Sequence, residues 1–370
     1  MPIPLAVPDL SGNEQRYVAE AIGSSWISSN GQFVTRFEKE FAEFAGTKYA
    51  LSVANGTVAL HLALLGLEVA AGDEVLVPSL TYVATANAVR YVGAEPVFID
   101  VDPQTWCIDP ARLEEQITPR TTAIIAVHLY GHPADMDAIS AVAAKHGLSV
   151  IEDAAEAHGA EYKGRKAGSL GHVATFSFYG NKILTSGEGG ALTLNDPELY
   201  ARLKMLRGQG MDPARRYYFP IVGYNYRLTN VACALLCAQL ERYEEIVGKR
   251  RQIAARYEQR LRATPGLGLQ PVADNVLPAP WLFCVTIDQA VFGVSRDEVM
   301  QALADEGIET RPFFVPLHTL PPYREEAQKR RTILPYTERL AATGMNLPTF
   351  PGLSAESIVK VCTVLAALGR

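Results

Sequence analysis

The sequence predicts an α/β protein in which helices cover both faces of a mostly parallel sheet. Short apolar segments bounded by turn residues are typical of buried strands, and they lie at residues 74–80, 95–101, 121–131 and 148–155. Segments with helical periodicity alternate with them, at residues 56–67, 81–93, 109–117 and 135–147. This alternation indicates βαβ units. The chain has 370 residues and is 48% hydrophobic, which is sufficient for two domains with a large buried core.

Further elements of the first two thirds follow from local patterns. A helix and two strands are expected over residues 33–45, 173–180 and 189–195, respectively. Asp109 and Asp196 each precede a proline, which combines an N-cap acid with proline in the first helical position. Helices are therefore expected to begin at Pro110 and Pro197.

The C-terminal third predicts a smaller α+β domain. The helical stretch of residues 229–264 is longer than a usual globular helix, so we expect it to bend or break between the two domains. Ser295 and Glu298 have the spacing of a capping box and predict a helix start. Strands at residues 281–287 and 309–314, a helix from about residue 354 and a proline-rich loop over residues 320–350 are also expected. We divide the chain into a large domain, residues 1–240, and a small C-terminal domain, residues 241–370.

Charge and composition exclude several classes of protein. The net charge is -6, and the charged residues, 20% of the chain, mix both signs, so nucleic acid and anionic membranes are not expected as partners. No run of about 18 apolar residues predicts a membrane span. The N-terminus does not resemble a signal peptide. The five scattered cysteines indicate free thiols in a reducing cytoplasm.

Motifs for other cofactors and chemistries are missing. His128 and His132 flank a turn rather than a helix face, and we expect no metal site there. Cys233 and Cys237 share a helix face without a second cysteine pair nearby, so we interpret them as small core residues. The G-x-G-x-x-G fingerprint is absent after the early strands, which argues against a nicotinamide dehydrogenase, and no G-x-S-x-G elbow supports a hydrolase.

Three positions carry residues that are able to perform chemistry, and each also has an ordinary structural interpretation. Asn55-Gly56-Thr57 precedes an apolar helix whose N-terminus would bind phosphate, although such residues are also common helix caps. Asp153 ends a buried strand at the edge where open α/β sheets bind ligands, or it is a surface acid. Lys182 lies between a buried strand and a glycine-rich loop. Desolvation there would make its amine nucleophilic, although most lysines are solvated.

Taken in order, six segments resemble the DegT/DnrJ/EryC1/StrS family of sugar aminotransferases. They are NGT (55–57), PSLTYVATANAV (78–89), IEDAAEAHGA (151–160), TFSFYGNKILTSGEGG (175–190), GYNYRLTN (223–230) and ETRPFFVPLH (309–318). The resemblance implies a fold-type I enzyme: a large domain that binds pyridoxal 5'-phosphate (PLP) on a seven-stranded, mostly parallel sheet, and a small C-terminal domain. It also implies a homodimer, or a tetramer of such dimers, with active sites at the subunit interface.

The resemblance implies roles for individual residues. Lys182 corresponds to the lysine that holds PLP covalently, and Asp153 corresponds to the acid that pairs with the pyridine nitrogen. The other implied cofactor contacts are Gly56 and Thr57 as amide donors to the phosphate, Ser177 as its hydroxyl donor, Tyr82 stacked on the ring, and Asn225 reaching the phosphate from the neighbouring subunit. Many family members carry Gln at position 156, whereas this chain has Glu156, which adds a second acid near the ring oxygen.

Longer matches favour one branch of the family. Residues 26–31 and 206–227, together with Glu156, are similar to members that transfer an amino group from L-glutamate to C4 of GDP-4-keto-6-deoxy-D-mannose. Substrate contacts are expected from Trp26, Arg216, Arg227, Arg311 and His318. Trp26 is also suited to pack at a subunit interface, and Arg311 is suited to a structural ion pair.

Related functions remain as alternatives. The nearest is a 4-aminotransferase for a UDP- or dTDP-linked 4-keto-6-deoxy sugar. The family's 3-dehydrases have His where this chain has Lys182, so that reaction is disfavoured. A non-catalytic regulator on the same fold would be expected to lack Lys182 or Asp153, and both are present.

Overall fold

A seven-stranded sheet is the largest feature of the computed structural model, which describes residues 2–369. The first strands of the chain are β1 (Tyr49–Val53), β2 (Glu74–Pro78), β3 (Glu95–Ile99), β4 (Thr121–Val127), β5 (Ser149–Asp153), β6 (Glu161–Tyr162), β7 (Arg165–Lys166), β8 (Val173–Ser177) and β9 (Gly190–Leu194). The order in the sheet is β1-β9-β8-β5-β4-β2-β3. The pairs from β8 to β3 are parallel, whereas β9 runs antiparallel to both neighbours. The predicted mostly parallel sheet is confirmed.

Helices connect and cover the strands. They are α1 (Glu14–Gly23), α2 (Gln32–Ala45), α3 (Gly56–Gly66), α4 (Ala84–Tyr91), α5 (Met136–His146), α6 (Pro197–Arg207), α7 (Asn230–Glu241), α8 (Tyr243–Leu261), α9 (Gln289–Phe292), α10 (Arg296–Asp305), α11 (Pro321–Lys329), α12 (Pro335–Thr343) and α13 (Ala355–Leu368). Across residues 2–369, no helix combines the length and the apolarity that crossing a membrane requires.

Aromatic residues fix α2 against the sheet. Phe33, Phe37 and Phe41 recur every fourth residue and are at most 2% exposed. The Phe41 ring meets the Phe176 ring of β8 edge-on, with centroids 4.9 Å apart, and Phe37 meets Phe178 at 5.5 Å. Each buried aromatic side chain contributes roughly 1.5–3 kcal/mol. The position of β8 is therefore fixed by its packing against α2.

A second sheet forms in the C-terminal part of the chain. Its strands are β10 (Leu267–Leu269), β12 (Phe283–Ile287), β13 (Arg311–Pro312) and β14 (Gly344–Leu347), in the order β10-β12-β14-β13, while β11 (Val276–Leu277) pairs with β6. A second hydrophobic core, which includes Tyr257, Phe292 and Met345, is formed by this sheet with α8, α10 and α13. Trp281 and Phe313 belong to the first core instead. The domain boundary between residues 240 and 241 stays a prediction.

Predictions based on helix caps are confirmed. Ser295 and Glu298 form a capping box at the start of α10, and the Asp196 side chain accepts hydrogen bonds from the first turn of α6. The long helical stretch breaks at Arg242, between α7 and α8.

Three predicted elements are wrong or shorter than expected. Residues 109–117 form two short 3-10 helices, Pro110–Arg112 and Glu114–Gln116, rather than an α-helix. The strand expected over residues 309–314 is limited to β13. The loop expected over residues 320–350 contains α11, α12 and β14. Pro321, Pro322 and Pro335 lie in the first turns of the two helices, where a missing N–H costs nothing.

Candidate active site

A cavity of about 670 Å³ opens at the carboxyl edge of the parallel strands. Asp153 is the last residue of β5, Ser177 is the last residue of β8, and Gly56 is the first residue of α3. The lining residues include Asn55, Gly56, Thr57, Tyr82, Thr85, Asp153, Glu156, Ser177, Asn181, Lys182, Trp281, Arg311 and Phe314. This is the edge at which open α/β sheets bind their ligands.

The N-terminus of α3 forms one wall of the cavity. The Asn55 side chain caps the helix by accepting a hydrogen bond from the Val58 amide at 3.0 Å. A Cβ atom on Gly56 would lie 2.7 Å from the Ser177 Cβ, so the closeness of α3 to β8 requires glycine. The first turn of a helix leaves N–H groups without intrahelical acceptors, and here the hydroxyl of Ser177 lies beside them. Such a wall is suited to a phosphate group.

Asp153 supplies a buried carboxylate at the floor. The Thr85 hydroxyl donates to its Oδ2 at 2.9 Å, and the Ala155 amide donates to its Oδ1 at 3.3 Å. Burial raises the pKa of Asp153, while the hydrogen bond from Thr85 opposes that shift. A cationic partner in the cavity would offset the cost of burying this charge.

The amine of Lys182 is enclosed by an acid and an aromatic ring. Its Nζ lies 3.7 Å from Glu156 Oε1 and 3.8 Å from the centroid of the Trp281 ring. Burial lowers the pKa of Lys182, so the neutral, nucleophilic amine becomes more accessible than for a lysine in water. The Trp281 indole is itself held by its Nε1, which donates to the carbonyl of Asn181 at 2.7 Å.

Glu156 is anchored on the side away from Lys182. Its Oε2 accepts a hydrogen bond from the Tyr130 amide at 2.8 Å. Burial raises the pKa of Glu156, although the charge of Lys182 opposes this. Tyr130 has a positive φ of 56° and stacks on Phe314 with ring centroids 5.9 Å apart, which fixes the amide that points at Glu156.

The structure brings most of the predicted cofactor residues together. The cavity is lined by Gly56, Thr57, Tyr82, Asp153, Glu156, Ser177 and Lys182, and also by Arg311, which was predicted as a substrate contact. Tyr82 is 59% exposed, and its free ring face is available for stacking.

Five predicted site residues do not line the cavity of the single chain. Trp26 is 61% exposed, Arg216 packs on Tyr217, and Asn225 accepts a hydrogen bond from Arg227 at 3.2 Å. His318 is buried away from the cavity. It bonds to the Ser79 hydroxyl at 2.8 Å, and its other nitrogen lies 3.3 Å from Glu338.

Several residues that line the cavity are not predicted from the sequence. Thr85 lies three residues after Tyr82, inside the segment 78–89 that carries part of the family resemblance, and that location is the signal that could have pointed to it. Trp281 and Phe314 lie far along the chain from Lys182 and are brought to it by the fold alone.

Together, the sheet and this cavity have the architecture of a PLP-dependent aminotransferase. The chain belongs to the DegT/DnrJ/EryC1/StrS aminotransferase family, whose family model matches residues 8–366.

Similar proteins cover almost the whole chain. The GDP-perosamine synthase of Caulobacter vibrioides is 50% identical over 364 residues, which are 98% of this chain and 97% of that protein. The GDP-perosamine synthase of Escherichia coli O157:H7 is 44% identical, with 97% and 96% covered. The crystal structure of DesI in the presence of its TDP-sugar product superposes with a TM-score of 0.92 at 35% identity, with 99% and 92% covered.

The residues of the cavity fit PLP. The wall formed by α3 and Ser177 is a cradle that a Cβ atom on Gly56 would fill. Asp153 is a buried acid that lacks a cationic partner within 4.0 Å among residues 2–369, and a protonated pyridine nitrogen would provide one. Lys182 is an amine whose pKa is lowered by burial, as a covalent attachment point requires.

Proposed function

We propose that this enzyme transfers the amino group of L-glutamate to C4 of GDP-4-keto-6-deoxy-D-mannose and so forms GDP-perosamine. The observation that carries the chemistry is the desolvated Lys182 amine facing Glu156 in one cavity with Asp153. The choice of sugar is supported by the two GDP-perosamine synthases, which match at 50% and 44% identity over nearly the full chain. The cytoplasm is the proposed location, since all five cysteines are free thiols.

In this proposal, Lys182 would hold PLP covalently through its desolvated amine. When bound, PLP supplies an electron sink for the carbanion that forms next to the donor nitrogen. The Lys182 amine would move the proton of the donor α-carbon, acting first as a base and then as an acid. Asp153 would pair with the pyridine nitrogen and keep it protonated. Glu156 lies close enough to hold the Lys182 amine in place between these steps.

The other cofactor residues bind and orient. We assign the phosphate to Gly56, Thr57 and Ser177, where the N-terminus of α3 favours an anion. Tyr82, which lines the cavity with an exposed ring, would stack on the cofactor ring. Asn225 completes the phosphate site from the neighbouring subunit of a homodimer, since it does not reach the cavity of its own chain.

The sugar-nucleotide contacts remain proposals of the same kind. Trp26, Arg216 and Arg227 are assigned to the partner's cavity, where an arginine would bind the diphosphate in a bidentate way. His318 is assigned to the substrate side, although its bonds to Ser79 and Glu338 also suit a structural role. Alanine variants assayed for the Michaelis constant of the sugar nucleotide would separate these roles.

A substrate panel tests the proposed reaction. The purified enzyme with PLP and L-glutamate is offered the GDP-, dTDP- and UDP-linked 4-keto-6-deoxy sugars, and mass spectrometry detects the exchange of a keto oxygen for an amine. Conversion of the GDP sugar alone is expected. Conversion of the dTDP or UDP sugar alone would replace the proposed substrate but keep the aminotransferase. The similarity to DesI, whose product is a TDP-sugar, makes that comparison necessary.

A variant tests the role of the lysine. Lys182→Ala should bind PLP without covalent attachment, visible as a changed cofactor absorbance, and should lose turnover by at least about 10³-fold. Undiminished turnover would contradict the assignment of Lys182.

A further inference from the structure

We propose that Arg311 binds the carboxylate of the amino donor beside the reacting carbon. This inference rests on the proposed aminotransferase function and names the group that recognises the donor.

Arg311 is held rigidly at the wall of the cavity. It lies in β13, where pairing with β14 and the following Pro312 keep its backbone extended. The centre of its guanidinium group lies 4.8 Å from the centroid of the Trp281 ring and 5.6 Å from that of Phe314. Its Nε donates to Asn346 Oδ1 at 3.4 Å, which is a long hydrogen bond. The group is therefore oriented mainly by packing on aromatic faces.

The guanidinium group of Arg311 has N–H donors that lack acceptors. Among residues 2–369, the bond to Asn346 is its sole hydrogen bond, its Nη2 atom is buried without a partner, and no carboxylate lies within 4.0 Å. A guanidinium carries five N–H donors, and a buried donor left unpaired costs about 1–3 kcal/mol. Glu156 pairs with Lys182 and accepts from Tyr130, and although the charge of Arg311 also lowers its pKa, no oxygen of Glu156 lies within 4.0 Å of the guanidinium nitrogens. A planar carboxylate that accepts two parallel hydrogen bonds matches this group.

The position of Arg311 favours the amino donor over the sugar nucleotide. The Nζ of Lys182 and the guanidinium of Arg311 both contact the Trp281 ring and both residues line the cavity, so the anion site opens into the same cavity as the reacting amine. In an α-amino acid the carboxylate is one bond away from the carbon that loses its proton. In the sugar nucleotide, the diphosphate is attached to C1, across the pyranose ring from the reacting C4. An anion site in the same cavity as Lys182 therefore fits the donor carboxylate.

Direct binding measurements test this inference. Wild-type holoenzyme, Arg311→Gln and Arg311→Lys are titrated with glutarate, an unreactive dicarboxylate, and with GDP, both by calorimetry. Charge-assisted hydrogen bonds contribute about 1.5–3 kcal/mol, so Arg311→Gln should weaken glutarate binding by about 10- to 150-fold. Arg311→Lys keeps the charge but not the fork, and an intermediate loss is expected. GDP affinity should stay within about 2-fold. Arg324→Gln, at an exposed position in α11, is the matched control.

Kinetics give a second readout. The loss of the cofactor's visible absorbance on adding L-glutamate should need correspondingly more glutamate in Arg311→Gln, at unchanged cofactor content. The proposal would be overturned if Arg311→Gln weakened the binding of GDP or the keto sugar and left glutarate binding unchanged. It would also be overturned if the variant changed neither affinity, or if the wild-type enzyme bound no dicarboxylate. Failure of the proposed function would be seen separately, as wild-type enzyme that binds glutarate through Arg311 but aminates no sugar.

Discussion

At the scale of single residues, Gly56 packs so closely on Ser177 that it leaves no room for a side chain. A Cβ at position 56 would lie 2.7 Å from Ser177 Cβ and 3.3 Å from Ser177 Cα. Gly56→Ala should therefore push the N-terminus of α3 away from β8 and spoil the proposed phosphate cradle. We expect PLP affinity to fall by at least about 10-fold, or about 1.4 kcal/mol, in a titration of apoenzyme with PLP.

Gly248→Ala is the matched control. Gly248 lies inside α8, and a Cβ there would meet no atom within 4 Å. This substitution should leave PLP affinity unchanged and stabilise the protein by roughly 0.5–1 kcal/mol, because glycine loses more backbone entropy in a helix than alanine does. Equal losses of PLP affinity in the two variants would contradict the cradle.

His158 predicts a pH dependence of stability. Its ring is fully buried against Phe176 and Phe178, and burial lowers its pKa from 6.5 to about 3. Between these values the unfolded chain binds a proton that the folded chain does not, so stability falls as pH falls through this window. From about pH 7.5 to about pH 5.0, this one group should remove about 2 kcal/mol.

Urea unfolding at the two pH values measures the effect. The variant His158→Phe keeps an aromatic ring on the same neighbours but has no proton to bind, so its stability should fall by less between the two values. An identical pH dependence in wild type and variant would show that His158 is protonated while still folded.

Sequence patterns identify the polar residues of the site better than their aromatic neighbours. Lys182 and Asp153 follow buried strands and match family motifs, so both position and chemistry are visible in the sequence. The sequence identifies Trp281 only as part of the strand predicted over residues 281–287, yet its ring lies against the Lys182 amine. No local pattern predicts that contact, because it exists only once the chain from the second sheet folds back over the first.

At the scale of elements, a buried acid joins α11 to the edge of the large sheet. Glu74, at the start of β2, is fully buried and is bonded by Arg120, Arg330 and Thr118. Arg330, just after α11, also donates to Glu95 of β3 at 2.8 Å. Arg330→Ala should destabilise the protein by roughly 1–3 kcal/mol, less than full loss of a buried pair because Arg120 remains.

Chemical denaturation of Arg330→Ala beside Arg324→Ala measures this. Arg324 lies exposed in α11, so its removal should change the unfolding free energy by less than about 0.5 kcal/mol. Equal changes in the unfolding free energy of the two variants would mean that Arg330, bonded to Glu74, contributes no more to stability than an exposed arginine does.

Residues 320–350 show where element prediction fails. Proline indicates a loop when it interrupts a helix, but it favours a helix when it occupies the first turn. Pro321 and Pro335 occupy the first turns of α11 and α12. Asp196 caps the helix that begins at Pro197, so the sequence identifies that proline as a helix start. Leu320 and Leu334 precede Pro321 and Pro335 without a capping side chain, so this signal is missing there.

At the scale of the whole molecule, one chain exposes apolar groups that a soluble surface rarely carries. Trp26, Tyr217 and Val222 are 61%, 72% and 87% exposed. They lie in residues 26–31 and 206–227, and the second of these segments contains Asn225, the residue that the resemblance assigns to the neighbouring subunit's active site. Exposed apolar surface of this kind marks an interaction site, which supports the proposed homodimer.

Shared active sites predict complementation between two inactive variants. Lys182→Ala removes the reacting amine, and Asn225→Ala removes the proposed contact to the partner's phosphate. In a mixed dimer, one site would combine Lys182 of one subunit with Asn225 of the other and be intact, whereas the second site would lack both. Random pairing makes half of the dimers mixed, each with one of two sites intact, so about a quarter of wild-type activity should return.

The experiment uses co-expressed subunits with two different tags, and mixed dimers are purified through both tags in turn. Activity in the mixed dimer of about half the wild-type value per dimer is expected, well above that of either variant alone. If Asn225 acted within its own chain, each site of the mixed dimer would keep one defect, and activity would equal the mean of the two variants. The activity of the mixed dimer therefore decides whether the cavity of one chain is completed by its partner.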